Sequence, residues 1–133
     1  MAGFQCFEEI ESWRKGRELT RHIYEITAQG AFARDYGLCD QLRRASVSVM
    51  SNIAEGFERG GNREFIHFLS IAKGSAGEIR SQIYVALDQA YISQVTFDTI
   101  HALTREVSRM ISGLIQYLQK SEMRGQKFME KQR

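Results

Sequence analysis

Apolar residues recur at steps of three and four in four stretches of the chain, with polar residues between them. The first stretch, about residues 8–28, brings Trp13, Gly16, Leu19, Thr20, Ile23 and Ile26 to one helical face. The second, about 37–57, aligns Leu38, Leu42, Ala45, Val49 and Ile53. The third, about 63–91, does the same with Phe65, Phe68, Leu69, Ala72, Ala76, Ile79, Ile83 and Ala86. The fourth, about 97–121, carries Ile100, Leu103, Val107, Met110, Ile111, Leu114 and Leu118. No alternation of period two lasts long enough to predict a strand.

The breaks between these stretches have helix-boundary chemistry. Asp35 is placed to cap the second helix, Asn62 follows the Gly60-Gly61 turn as the cap of the third, and Thr96 precedes the fourth. Connections this short make neighbouring helices antiparallel. The expected fold is therefore all-α, an antiparallel up-down-up-down four-helix bundle over residues 1–121. Residues 122–133 are expected to form a frayed basic tail, since residues 120–133 set five cations against two carboxylates.

The second and third helices have more than one apolar face. On the second, Gln41, Arg44, Ser48, Asn52 and Glu55 form a polar stripe about 80° wide beside the core stripe, at roughly 100° per residue. Val47, Met50, Ala54 and Phe57 lie beyond it. The third helix adds Ile66, Ile71, Tyr84 and Val85 off its core face, with Gly74 and Gly77 spaced for close approach of another backbone. A helix apolar on two sides calls for more cover than its own bundle provides. Val47, Met50, Ala54, Ile66, Gly74, Gly77, Tyr84 and Val85 are accordingly the candidate surface for self-association. Pairing the two helices about a turn centred near residues 59 and 60 sets Arg44 opposite Ser75 and one turn from Glu78. The same register sets Gln41 opposite Glu78, and Asn52 opposite His67. The expectation is a partly buried Arg44–Glu78 ion pair within a structural network of Gln41, Arg44, Ser48, Asn52, Glu55, His67, Ser75 and Glu78. In that network His67 is an interior histidine, and Arg44→Ala leaves Glu78 buried without a partner.

Composition narrows the chemistry. The 133 residues include no proline, which favours long uninterrupted helices. Lys and Arg number 18 against 16 Asp and Glu, so the net charge of +2 creates no strong overall field. No apolar run reaches the ~18 residues of a membrane span, and no secretory leader is evident. Cys6 and Cys39 are isolated from each other, which suggests neither a disulfide framework nor a zinc site and points to a reducing cytoplasm. His22, His67 and His101 are scattered, and no nucleophile elbow or phosphate loop occurs. No cofactor, metal or catalytic set is expected. The basic residues Arg14, Lys15, Arg17 and Arg21 on the first helix, with Arg43, Arg59 and Arg63, are the candidate nucleic-acid contacts.

Residues 41–56, ending in Asn52-Ile53-Ala54-Glu55-Gly56, and the pattern Glu64-Phe65, Phe68-Leu69, Ile71-Ala72, Gly74-Ser75 and Glu78 form a longer signature. With Trp13 and Tyr36-Gly37-Leu38, they make the chain resemble the bacterial four-helix bundle proteins of the 23S rRNA intervening-sequence family, from about residue 7 to residue 120. The resemblance implies a small cytoplasmic bundle that assembles into a ring-like homopentamer, with no enzymatic activity. It also implies kinship with accessory proteins of diversity-generating retroelements, which bind a reverse transcriptase and nucleic acid. The functional expectation is a non-enzymatic homo-oligomer associated with RNA. The alternative is a protein-interaction scaffold, for example for a reverse transcriptase or another mobile-element protein. An enzymatic site around Arg44, Glu55 and Glu78 ranks below both.

Overall fold

In the computed structural model, four helices follow one another: α1 (Glu11–Thr27), α2 (Tyr36–Glu58), α3 (Asn62–Asp88) and α4 (Gln94–Gln132). The structure describes the backbone of residues 3–132 and the side chains of residues 3–122. No strand occurs among the described residues, and none of their helices is long and apolar enough to cross a membrane. α2 packs most extensively on α3, α3 on α4, and α1 on α2 and α4, so the antiparallel helices close a four-cornered bundle in chain order. Its core is the stripe that the periodicity defines. Leu19, Ile23, Leu42, Val49, Ile53, Phe65, Leu69, Ile79, Ile83, Val107, Ile111 and Leu118 are all fully buried. The fourth helix passes the expected boundary near residue 121; the side chains of the basic tail lie outside the described residues.

The helix starts agree with expectation once in three. Asp35 caps α2, its Oδ1 accepting from the Leu38 N–H at 3.1 Å. Asn62 is instead the first residue of α3, capped by Gly61 in extended conformation without a side-chain bond. Gly60, at φ 85°, makes the turn before it. At α4 the Ser93 hydroxyl, not Thr96, accepts from the Thr96 N–H at 3.1 Å. Ser93 was the better cap because its own carbonyl already receives the first helical bond, from Phe97 at 2.9 Å.

The segment between α1 and α2, expected as a loop, holds a 3₁₀ turn, Gly30–Arg34, that buries Phe32. Phe32 stacks on Tyr91, ring centroids 5.0 Å apart, and the Tyr91 hydroxyl donates to Asp35 Oδ2 at 3.0 Å. Asp35 therefore ties the start of α2 to the end of α3. That bond raises the Tyr91 pKa above its ordinary 10.0, while burial is the main cause of the rise at Cys39 above 9.0. Both groups hold their protons more tightly in the folded chain than in the unfolded one. The stability this contributes is present below their unfolded values and is lost as pH climbs through the folded ones. The denaturant midpoint should fall as pH rises past the ordinary values of 9.0 for Cys39 and 10.0 for Tyr91, and fall less in Tyr91→Phe.

α3 ends in a Schellman motif, with the Tyr91 N–H on the Ala86 carbonyl and the Ala90 N–H on the Leu87 carbonyl, both 2.9 Å. Ala90 occupies the left-handed position, φ 58°, that glycine usually fills. Ala90→Gly is expected to stabilise the bundle by about 1 kcal/mol in calorimetry or denaturant unfolding.

Candidate nucleic-acid interface and assembly surface

The register of α2 on α3 decides which polar residues meet. Ser48, rather than Arg44, faces Ser75, with hydroxyl oxygens 2.9 Å apart, so the pairing lies one helical turn from the expected one. The turn centres on Gly60, and each side chain leans about one position towards its own helix N-terminus. In an antiparallel pair the two leans add, which accounts for most of the shift. The Asn52 side chain donates to the Ser48 carbonyl at 2.8 Å and to the Ser48 hydroxyl at 3.0 Å, completing a small half-buried cluster.

The rest of the expected network is not joined this way. Arg44 is 79% exposed and pairs with Asp40 at 3.5 Å, not with Glu78. Glu78 is itself exposed, so the partly buried ion pair does not form within one chain. Arg44→Ala is accordingly a surface change of little consequence for the isolated bundle. Glu55 pairs with Arg59 at 2.8 Å on the surface. His67 is exposed, its ring edge-on to Phe68 with centroids 5.4 Å apart, and is not an interior histidine facing Asn52. Gln41, Arg44, Ser48, Ser75, Glu78 and Gln82 nevertheless line one polar groove of about 500 Å³ along the outside of the α2–α3 pair. Gln82 Oε1 is buried there without a hydrogen-bond partner.

Around that groove lies the surface proposed from sequence for self-association. Val47, Tyr84 and Val85 are exposed, as is Ile71, at 40–49%. Gly74 and Gly77 are open, with no atom within 4 Å of an added Cβ. These two glycines weaken α3 by about 1 kcal/mol each without admitting a neighbour from the same chain. Met50 and Ile66 are used inside the bundle instead. The Met50 sulfur meets the Thr20 hydroxyl of α1 at 3.3 Å, and Ile66 packs against the core. Ala54 is half-buried, and Tyr84 also packs on Phe97 and His101 of α4, at 4.8 and 5.7 Å between centroids.

The candidate nucleic-acid contacts divide by what holds them. Lys15 bridges to Glu18 and Glu106, at 3.5 and 3.8 Å. Arg43 donates to the Thr27 hydroxyl at 2.8 Å and lies over the Tyr24 ring. Arg59 is taken by Glu55 and the Phe68 face, and Arg63 lies 3.5 Å from Glu122. Arg14, Arg17 and Arg21 are exposed on α1, with no carboxylate at ion-pair distance among the described residues. They line a cleft of about 370 Å³ with Trp13 and Glu8. The Arg14 Nε donates to the Glu8 carbonyl at 2.7 Å, which fixes one wall. Trp13 is half-buried, edge-on to Phe7 with centroids 5.1 Å apart. Nothing in the spacing of residues signals that Trp13 opens onto the basic stripe, because it falls within the periodic core pattern. No group of three or more His, Cys, Asp or Glu able to hold a metal occurs among the described residues.

The family model described as "23S rRNA-intervening sequence protein" matches residues 8–113. Among solved structures, a protein of unknown function from the S23 ribosomal protein family of Bacteroides thetaiotaomicron superposes with a TM-score of 0.72 at 20% identity. The match covers 78% of this chain and 97% of that one, and at this identity it speaks for the fold. No curated protein matches the chain.

Proposed function

Because the chain belongs to the 23S rRNA-intervening sequence protein family, we propose that it works without catalysis, as a self-assembling helical bundle that associates with RNA in the cytoplasm. The observation that carries this reading is the exposed arginine stripe of α1. Arg14, Arg17 and Arg21 are held on one exposed face at i, i+3 and i+7, without neutralising carboxylates among the described residues. Three cations in a row are a weak phosphate site on one chain. Repeated around a ring of copies, they become a strong one, since each contact adds counterion release. The α2–α3 surface of Val47, Ile71, Gly74, Gly77 and Val85 supplies the copy-to-copy contact, with a homopentamer as the assembly.

A labelled structured RNA, followed by anisotropy at about 50 and about 200 mM salt, tests this. Binding that weakens steeply between the two concentrations is expected. Absence of binding at the lower one, by this RNA and by a single strand alike, overturns the reading. The exposed apolar surface of α2 and α3 also favours a second reading, a scaffold for another protein such as a reverse transcriptase. Under that reading, a partner would survive nuclease treatment in pull-downs.

A further inference from the structure

We infer that the α1 cleft takes single-stranded RNA, with an unpaired base stacked on Trp13 and its flanking phosphates on Arg14, Arg17 and Arg21. This rests on the reading that the chain associates with RNA and names the form of RNA this surface fits. A purely electrostatic patch would bind any polyanion, but this one contains an indole. Trp13 lines the same cleft as the three guanidinium groups, and Phe7 holds its ring edge-on. Base stacking on such a platform needs a base free of its partner, because the faces of paired bases lie inside the duplex.

The dimensions agree. Arg14 to Arg21 spans about 10 Å of helix axis, the reach of two or three phosphates rather than of a duplex face. A cleft of about 370 Å³ is at the small end of the range for single-ligand sites. A double helix would touch its rim with the sugar-phosphate edge alone and leave the indole unused. Glu8 is the carboxylate among the lining residues, and its backbone carbonyl already holds Arg14. Its side chain disfavours a phosphate at that end and suits a base N–H, such as the uracil imino group.

Trp13 is the chain's single tryptophan, so its emission reports this cleft directly. The full chain would be titrated with an oligouridylate of about eight nucleotides and, separately, with an RNA hairpin stem of similar length, following both tryptophan emission and anisotropy of a label on the RNA. Saturable quenching by the single strand is expected, with affinity on the order of tenfold above that of the stem. Arg17→Gln, at an exposed position, should weaken binding several-fold without moving the thermal midpoint. Anisotropy binding with unchanged tryptophan emission, or a stem bound as tightly as the single strand, overturns this inference and leaves RNA association standing. If neither RNA binds at low salt, both fail.

Discussion

Replacing Gly56 with valine is expected to destabilise the bundle by about 3 kcal/mol, enough to lower the thermal midpoint by more than 10 °C. An added Cβ at this position would lie 2.8 Å from Phe68 Cβ, 3.1 Å from the Phe65 ring and 3.3 Å from the Phe65 carbonyl oxygen. Phe68 Cβ sits next to the α3 backbone and cannot swing aside, so α2 and α3 would have to separate where they are held closest. Phe65 is fully buried and stacks edge-on with Phe57, so the disturbance reaches the core. Gly113→Ala is the control, a helical glycine on α4 that faces open space and lies outside the proposed copy-to-copy surface. It should stabilise the isolated bundle by up to about 1 kcal/mol through helix propensity alone. Calorimetry on the two variants separates close packing from the general cost of glycine in a helix.

The second large effect is on RNA. Changing Arg14, Arg17 and Arg21 together to glutamine should lower affinity at low salt on the order of 100-fold, at about 1 kcal/mol for each exposed charged contact. The slope of log affinity against log salt should become shallower by about 2, the share of three phosphates on a single strand. Arg43, Arg59 and Arg63 changed together should cost much less, because each is already engaged by Tyr24 and Thr27, by Glu55 and Phe68, or by Glu122. Salt titrations of the two triple variants against the parent chain make the comparison.

The bundle was legible because its core stripes repeat at helical spacing over many turns. Leu42, Val49, Ile53, Leu69, Ile79 and Ile83 all lie where the periodicity puts them. Register was harder to read. Counting outward from the turn places Arg44 against Ser75, whereas the lean of side chains along each helix brings Ser48 there. That single turn moved Arg44 and Glu78 from a buried pair to the walls of an open groove. His67 and Met50 show the two directions of error at a helix flank. His67 turns outward, while Met50 turns in against α1. The tie from Asp35 to Tyr91 spans 56 residues of sequence, and no local pattern encodes it. Among the basic residues, type and spacing were visible, but which ones a neighbour neutralises depends on tertiary contacts with Glu106, Tyr24 and Glu122.

In the proposed reading, assembly turns a three-arginine cleft into an effective RNA surface, and it requires that α2 and α3 be covered by other copies. The most direct measurement is the mass of the purified, nuclease-treated protein by light scattering. A particle several times the 15.3 kDa chain, near five times it for the proposed ring, is the predicted result. A stable particle of 15.3 kDa across micromolar concentrations would contradict the account.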